Sequence, residues 1–306
     1  MHNTIQQITI EKIEKLGLSP SEYYEWIDEV INHFDSFILP TKTRIPLRNS
    51  DYFNIMPCVL PEINRMGLKV VTRSEERRKL EQVNIDGDIL LYDYNNCNLI
   101  ALMDGSLITT IRTAAIAVHS MLHLANNYDV IAMVGLGNIG TWIGKILVDH
   151  IKNKDICIKL YKYKNHADKF IETFQSHHNI SFEICESYEA LMKGSDVVFS
   201  SVTYIEEDFC DAKIYKEGCT VIPVHMRGFK ECDIVFDHII TSDLESIKKF
   251  QNYNKMKRLS RLNEVLSGDI KIRETPQDRV LVYNLGIALY DIYFASKIYD
   301  KISNIK

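Results

Sequence analysis

The amino-acid sequence predicts an α/β protein that combines a doubly wound parallel sheet with a separate α+β domain. One observation is the segment 129–150, DVIAMVGLGNIGTWIGKILVDH, where an apolar strand-like run leads through a glycine turn into a helical pattern. A second is the alternation of strand-like and helical segments from there to residue 242. The third is a different pattern of apolar and polar residues between residues 38 and 107, where short strand-like runs are separated by polar turns.

The glycine turn GLGNIG, from Gly135 to Gly140, is typical of a Rossmann-type dinucleotide-binding fold. Gly135 permits the tight turn, Gly137 lets the backbone approach a pyrophosphate, and Gly140 allows the helix to pack closely on the strand. The helix that starts beside Asn138 and Ile139 offers free backbone N–H groups and a partial positive charge. A glycine-rich connection in another α/β protein is the alternative, but the flanking strand and helix favour dinucleotide binding.

Composition is that of an ordinary globular protein and excludes several classes of function. The chain has 306 residues, 46% of them hydrophobic and 25% charged, which suggests about two domains with ample material for a core. A net charge of -5 gives no basic bias, so we expect no nucleic-acid partner. No membrane span and no signal peptide are expected from the apolar runs and the N-terminal segment, MHNTIQQITIEKIEK. Seven scattered cysteines without a CxxC pair predict reduced thiols in a cytoplasmic protein.

The first domain is expected to comprise residues 1–126 together with 282–306. Residues 5–37 have a helical pattern broken near Gly17, with Ser19 as the cap of a second helix. Strand-like runs such as Leu68–Val71 and Leu99–Met103 predict a largely antiparallel sheet. A helix over 109–126, with Thr110 as its cap, would tie this domain to the next. The terminal helix, predicted over 285–302, would return to the first domain.

The second, dinucleotide-binding domain is expected to comprise residues 127–281. Its alternating elements indicate a parallel, doubly wound sheet. Strands are predicted over 130–134, 156–161, 180–185, 196–202, 220–224 and 238–242. Helices are predicted over 166–177, 188–193, 244–253 and 259–266.

The end of the second predicted strand of this domain favours NADP(H) over NAD(H). An NAD-specific fold places an acid about 20 residues past the glycines, where it binds the adenosine ribose. Here the chain reads Lys162-Tyr-Lys164, and no carboxylate occurs before Asp168. A cation suits a 2′-phosphate, and this interpretation is favoured over the alternative that the two lysines belong to a solvated turn.

Three cations in or beside the first domain could bind a carboxylate: Arg44, Lys69 and Arg112. Lys69 lies within an apolar run, where a buried ammonium group is costly unless it is paired. Arg112 lies near the predicted start of a helix, where a cation opposes the helix dipole. A ligand carboxylate would explain both positions. An ion pair with Asp104 or another acid would explain them equally well.

Histidines offer two further candidate sites. His119 and His123 are spaced i, i+4 on one helix, but the sequence provides no evident third ligand, so packing or surface roles are favoured and no metal is expected. His225 ends a predicted strand on the side where open sheets bind their ligands, so a proton-transfer role is open.

Taken together, the glycine turn, the RTAA helix and the terminal helix resemble the ornithine cyclodeaminase/mu-crystallin family. The resemblance extends over nearly the whole chain. The matching stretches are 66–71 (MGLKVV), 108–115 (ITTIRTAA), 134–140 (VGLGNIG), 194–198 (GSDVV) and 285–291 (LGIALYD). It implies a homodimer built through the first domain and a small amino-acid-like or imine substrate with a carboxylate. It also implies that Arg44, Lys69 and Arg112 hold that carboxylate.

Two departures from the family pattern argue against cyclodeamination of ornithine. Ornithine-deaminating members carry an aspartate in the loop after the fifth Rossmann strand, where this chain has Arg227. They also carry a glutamate before the Met-Pro pair, where this chain has Asn54, a candidate substrate ligand. The remaining pattern is similar to that of members that reduce cyclic imines, oxidise amino acids, or oxidise an N-substituted amino acid.

The leading hypothesis is an NAD(P)-dependent oxidoreductase acting on the C–N bond of an amino acid or imine carboxylate. Lys69 and His225 are the candidate catalytic residues, and the sequence does not choose between them as the group that handles the proton. A lyase that recycles a tightly bound coenzyme, and a crystallin-like binding protein without catalysis, are the alternatives. The coenzyme is expected to contact the glycine turn and further residues. Those residues are Thr110, Asn138, Ile139, Lys162, Lys164, Val202, Thr203 and Gly286.

Overall fold

The computed structural model describes residues 5–80 and 85–304, and all of their side chains except those of Ser50 and Arg78. The chain divides into two compact units. The first lies within Met1–Arg112 and Ile287–Lys306, and the second is Thr113–Gly286. The α/β fold class is confirmed, because one unit contains a mixed sheet and the other a parallel sheet.

The first unit is built on a six-stranded sheet in the order β1-β6-β5-β4-β3-β2. Strands β2 to β6 are antiparallel neighbours, while β1 pairs in parallel with β6. The strands are β1 (Gln6–Ile8), β2 (Thr43–Pro46), β3 (Tyr52–Leu60), β4 (Arg65–Arg73), β5 (Ile85–Asp93) and β6 (Leu99–Asp104). The predicted antiparallel sheet is therefore confirmed, and its strands are longer than the sequence indicated.

Helices of the first unit flank this sheet. They are α1 (Ile10–Glu14), α2 (Pro20–Asn32), α3 (Glu75–Lys79), the first part of α4 (Gly105–Leu124) and α11 (Ala288–Asn304). Ser19 caps α2 as predicted, since its hydroxyl accepts from the backbone N–H of Glu22 in a capping box. The helical prediction was wrong for Gln6–Ile8. These residues form a strand, because their backbone groups hydrogen-bond to β6.

The core of the first unit lies between the sheet and α11. Alternate residues of the central strands face this helix and are buried, among them Met56, Cys58, Ile89 and Leu91. The helix comes so close that a Cβ placed on Gly67 would lie 3.0 Å from the side chain of Ile292. This packing brings the buried face of β4 against the first turns of α11.

Strand pairings in the second unit are all parallel among its described residues. The sheet has eight strands in the order β13-β12-β14-β11-β10-β7-β8-β9. Its first half contains β7 (Val130–Val134), β8 (Ile156–Tyr161), β9 (Ile180–Cys185) and β10 (Val197–Ser200). Its second half contains β11 (Thr220–Pro223), β12 (His238–Thr241), β13 (Leu259–Arg261) and β14 (Val280–Tyr283). The order reverses beside β7, as in doubly wound folds.

Short helices connect these strands. They are α5 (Asn138–His150), α6 (His166–Phe174), α7 (Tyr188–Met192), α8 (Cys232–Val235), α9 (Leu244–Ile247) and α10 (Leu262–Leu266). The helical prediction over 259–266 was wrong for its first three residues, because β13 pairs with β12 there. Strand β14 was missed altogether, since a run of four apolar residues has no diagnostic period.

Helix α4 starts earlier than predicted. It begins at Gly105, directly after Asp104, whose carboxylate accepts a hydrogen bond from the Ser106 N–H at 2.9 Å. Thr110 is therefore an interior residue and not the cap, and Arg112 is two turns into the helix. By length and composition α4 could cross a membrane, but 72% of its apolar window is buried inside the protein, as in a core helix.

Candidate functional site

The glycine turn of the second unit has the conformation that its sequence predicts. Gly135 has φ +88°, and an added Cβ would lie 2.5 Å from the carbonyl carbon of Ser201, so only glycine fits. A Cβ on Gly140 would collide with the carbonyl oxygen of Gly135. Gly137 differs, because nothing lies within 4 Å of its added Cβ. The backbone of Gly137 therefore faces open space at the point where a pyrophosphate would approach.

Helix α5 contributes its N-terminus to the same corner. Gly137 is the N-cap of α5 and provides no side-chain oxygen to its first turn. The first N–H groups of a helix, here those of Asn138 and Ile139, lack intrahelical acceptors and attract anions. The loop after β10 borders the corner, since Ser201 Oγ donates to the Gly135 carbonyl at 2.5 Å, and Val202 and Thr203 follow it. These residues fit a dinucleotide phosphate.

The lysines at the end of β8 are exposed. Lys162 Nζ forms an ion pair with Glu186 Oε1 at 2.6 Å. Lys164 has φ +51° and lies with its Nζ 5.4 Å from the centre of the Tyr163 ring. The predicted cation site therefore contains an acid as well, which the sequence did not indicate because Glu186 follows the next strand.

His225 lies beyond β11, at the carboxyl edge of the parallel sheet. Its Nε2 is 2.6 Å from Ser200 Oγ, and its Nδ1 accepts from the backbone N–H of Arg227 at 3.4 Å. An amide N–H can only donate, so the hydrogen of a neutral imidazole is assigned to Nε2, which donates to Ser200. Burial lowers the pKa of His225 to about 4. The imidazole is therefore neutral at pH 7.

In the first unit, Lys69 and Arg112 share one carboxylate. Lys69 Nζ lies 2.9 Å from Asp291 Oδ1, and Arg112 Nε lies 3.0 Å from the same atom. Lys69 on β4 is 2% exposed, Arg112 on α4 is 4% exposed, and Asp291 on α11 is fully buried. Asp291 Oδ2 is buried without a hydrogen-bond partner in the described part of the chain.

The charges of this triad do not cancel. Burial lowers the pKa of Lys69 to about 8, although Asp291 acts in the opposite direction. Burial would raise the pKa of Asp291, but the charges of Arg112 and Lys69 outweigh it and lower that pKa. At pH 7 two cations therefore face one anion, and one positive charge is left in a buried place. Such a charge is costly unless an anionic ligand completes the site.

Arg44 and Asn54 lie on the same face of the sheet as Lys69. Arg44 pairs with Asn54 across β2 and β3, and Met56, two residues further on, pairs with Lys69. Arg44 is exposed and places its guanidinium 3.9 Å from the centre of the Tyr52 ring. Asn54 Oδ1 is buried and lacks a hydrogen-bond partner in the described part of the chain. The four predicted substrate-binding residues thus belong to one unit, and three of them share one sheet face.

Other candidates have different surroundings. Thr110 donates its hydroxyl hydrogen to the carbonyl of Ser106 at 2.9 Å, and Gly286 lies in the segment between β14 and α11. His119 is buried and stacks on His123 with ring centres 4.1 Å apart. The sequence analysis missed Asp291 as a site residue. The signal was present, because two buried cations require an acid and the apolar helix α11 carries one in its first turn.

Comparison with known proteins shows the family and the fold of the chain. A model of the ornithine cyclodeaminase/mu-crystallin family matches residues 5–306. The chain is 26% identical over 275 residues to nodulation efficiency protein NfeD of Rhizobium meliloti, covering 87% of this chain and 84% of the relative. It is 28% identical over 242 residues to N-((2S)-2-amino-2-carboxyethyl)-L-glutamate dehydrogenase of Staphylococcus aureus, covering 74% and 70%.

A further relative and a solved structure extend the comparison. Delta(1)-pyrroline-2-carboxylate reductase of Bacillus thuringiensis is 24% identical over 279 residues, covering 86% of each chain. The solved structure of Thermococcus litoralis Delta(1)-pyrroline-2-carboxylate reductase, in complex with NADH and L-proline, superposes with a TM-score of 0.86. That match covers 98% of both chains at 20% identity, so it shows a common fold.

Proposed function

The chain belongs to the ornithine cyclodeaminase/mu-crystallin family, and we propose that it is an NAD(P)H-dependent oxidoreductase. The reaction would interconvert an amine and an imine at the carbon next to a carboxylate. The relatives from Staphylococcus aureus and Bacillus thuringiensis are by name a dehydrogenase of an N-substituted amino acid and a reductase of a cyclic imine. Both names describe chemistry at a C–N bond beside a carboxylate.

The observation that carries the proposal is the excess positive charge of the Lys69–Asp291–Arg112 triad. A substrate carboxylate would neutralise it, with Arg112 and Lys69 as ligands and Arg44 on the same sheet face as a third. Asp291 Oδ2 lacks a hydrogen-bond partner among the described residues and is an acceptor for an N–H of the same ligand. Asn54 Oδ1 is a second buried oxygen that lacks a hydrogen-bond partner among the described residues.

Lys69 is the better candidate for handling the proton. A general acid works best when its pKa is close to the operating pH. The pKa of Lys69 is lowered to about 8 and that of His225 to about 4, so only Lys69 has a proton to give near neutrality. His225 would instead donate its Nε2 hydrogen to Ser200 and hold the loop after β11 in place.

The second unit would hold the coenzyme at the glycine turn. The open space at Gly137 and the first turn of α5 fit a pyrophosphate, and the bound coenzyme would supply the hydride. We propose NADP(H) as the preferred coenzyme, with Lys162 and Lys164 facing its 2′-phosphate. The Lys162–Glu186 ion pair is exposed, so exchanging Glu186 for a phosphate would cost Lys162 little.

We also propose that the chain forms a homodimer through the first unit. Pro57, Leu68, Leu90 and Leu102 form an apolar row across four strands, on the sheet face opposite Lys69. The first three are half-buried and Leu102 is 40% exposed. A second copy covering this row would remove it from water. A cytoplasmic location is proposed because all seven cysteines are free thiols.

The proposal is tested by assaying the purified chain with NADPH or NADH and a panel of cyclic imine carboxylates, including Δ1-pyrroline-2-carboxylate. We expect turnover with at least one imine, and we expect Lys69→Ala to abolish it while NADPH binding measured by calorimetry persists. Lys297→Ala, which removes a half-exposed lysine paired with Glu29, is the control and should keep full activity. Unchanged turnover in Lys69→Ala would remove the proposed role of that residue.

A further inference from the structure

The first unit contains a second cationic site that the reaction at Lys69 does not use. A cavity of 580 Å³ is lined by Arg48, Arg73 and Arg77, with Asp51 as the acid in its wall and Tyr52 beside them. The lining residues carry three guanidinium groups and one carboxylate, and two further acids, Glu75 and Asp86, lie behind Arg73 and Arg77 outside the lining. A positive wall around a space of this size is suited to an anionic group of a small molecule.

Two of these arginines, Arg48 and Arg73, lack a close ion-pair partner among the described residues. Arg77 donates to Thr72 Oγ1 at 2.7 Å and lies 3.4 Å from Asp86, so its charge is already paired. The acid that the structure places beside Arg73 is Glu75, at 3.9 Å, a loose ion pair. Arg48 is exposed and forms no ion pair with any residue that the structure describes. Arg48 and Arg73 can therefore bind an added anion without breaking a strong contact.

Unsatisfied hydrogen-bond donors also favour an anionic ligand in this cavity. The Nε atoms of Arg73 and Arg77 are both buried and have no hydrogen-bond partner in the described part of the chain. Buried N–H groups in native proteins nearly always have a partner, so these two donors are available to a ligand, an ion or a water molecule. The hydroxyl of Tyr52 is in a positive field at the same place. Burial raises the pKa of Tyr52, while the charges of Arg44 and Arg73 lower it.

Arg73 and Tyr52 of the cavity wall lie on the same sheet face as the proposed substrate-binding residues. Arg73 lies four residues after Lys69 on β4, so both side chains leave the same face, with Cα atoms about 13 Å apart. Tyr52 pairs with Arg73 across β3 and β4, and the guanidinium of Arg44 rests on the Tyr52 ring. Arg44 thus lies between the triad and the arginine-lined cavity.

We propose that this cavity binds a second acidic group of the substrate, a carboxylate remote from the one held by Lys69 and Arg112. The substrate is then an elongated amino acid or imine with two acidic ends, rather than a compact cyclic imine with one. This inference rests on the proposed function for the identity of the first site. Arg48 and Arg73 are specificity-determining residues, and Arg77 positions the strand end behind them.

The test measures binding of straight-chain dicarboxylates from succinate to sebacate, each against the monocarboxylate of equal carbon number, by calorimetry without coenzyme. We expect one range of diacid lengths to bind at least roughly tenfold more tightly than the matched monoacids. The double variant Arg48→Gln/Arg73→Gln should lose that advantage and keep the monoacid affinity. Arg261→Gln, an exposed arginine of the second unit, is the matched control and should change nothing.

Two results would overturn the inference. One is equal affinity for diacids and monoacids, or a diacid advantage that survives in the double variant. The other is tight binding of inorganic phosphate that depends on both arginines while no diacid is favoured, which would assign the cavity to a free anion. If the double variant does not fold, Arg48→Gln alone provides the test, because Arg48 is exposed. This single variant should lose part of the preference for diacids over monoacids. Because no coenzyme or turnover is involved, failure here is separate from failure of the oxidoreductase proposal.

Discussion

Lys69 Nζ lies 2.9 Å from Asp291 Oδ1, and this ion pair joins the middle strand of a sheet to a helix near the other end of the chain. Arg112 binds the same oxygen, so Asp291 holds two cations that would otherwise repel each other in a buried place. The pair organises the proposed carboxylate site, and removing one partner would leave an uncompensated buried charge in the first unit.

Replacing Asp291 with asparagine should be strongly destabilising. Removing one partner of a buried ion pair leaves an uncompensated charge and costs about 3–5 kcal/mol. Urea unfolding in a Trp142→Phe background, where Trp26 is the remaining tryptophan, reports on the first unit. Asp300→Asn, which breaks the partly exposed pair with Arg65, is the control and should cost about 1 kcal/mol or less. Equal effects of the two substitutions would contradict the account.

Carboxylate affinity should decline in alkaline solution. Lys69 is charged below its pKa of about 8 and neutral above it, so the site loses a positive charge as the pH rises through that value. Above it, the dissociation constant for a non-reacting probe such as cyclopentanecarboxylate should increase about tenfold per pH unit. In Lys69→Arg the charge persists, and the profile should stay flat. A wild-type profile without a break would show that Lys69 is not a ligand.

Gly137→Val should weaken coenzyme binding without unfolding the protein. The added side chain enters open space, and φ of -84° is allowed for any residue, so thermal stability should be kept. The same space is proposed for the pyrophosphate, so affinity should fall by about 100-fold. Gly135→Ala is the contrasting variant, because its positive φ and contact with Ser201 predict lost stability. Unchanged coenzyme affinity in Gly137→Val would place the coenzyme elsewhere.

Coenzyme preference should depend on the charges at the end of β8. The double variant Lys162→Ala/Lys164→Ala should lose affinity for NADPH and keep that for NADH, because only the former carries a 2′-phosphate. Glu186→Gln should shift the ratio in the opposite direction, since it removes the anion paired with Lys162. Titrations of both coenzymes measure the ratio, and a ratio that is the same in all three proteins would refute the NADP assignment.

A charge in the apolar row should separate the proposed dimer. Leu102→Lys places an ammonium group at the β6 end of the row that a second copy would cover, at a position already 40% exposed in one chain. Sedimentation should show a dimer for the wild type and a monomer for the variant. Ile184→Lys, at a similarly exposed residue of the second unit, should leave the dimer intact. A wild-type monomer at micromolar concentration would contradict the assembly.

Local features of the site could be predicted from the sequence, whereas long-range pairings could not. The turn at Gly135 was predictable because a positive φ and a close backbone approach are encoded by glycines a few residues apart. The acid that pairs with Lys69 was not, because Asp291 lies 222 positions away and its helix reads as an apolar stripe. Glu186 was also not predicted, because its partner Lys162 follows a different strand and the two residues meet only when β8 and β9 pair.

Element boundaries failed where tertiary pairing outweighs local pattern. Gln6–Ile8 and Leu259–Arg261 continue helical periodicities in the sequence but pair as edge strands. Helix α4 starts before Thr110 because Asp104 satisfies the first-turn donor at Ser106. Each of these depends on a partner or a cap that a periodicity argument does not weigh.

The most direct test of the central claim follows reduced coenzyme and free ammonia together while the chain acts on an imine carboxylate and, separately, on L-ornithine. The account predicts that each imine reduced consumes one NADPH or NADH and that L-ornithine yields no ammonia. Release of ammonia from L-ornithine with no net change in coenzyme would show a cyclodeaminase instead and contradict the account.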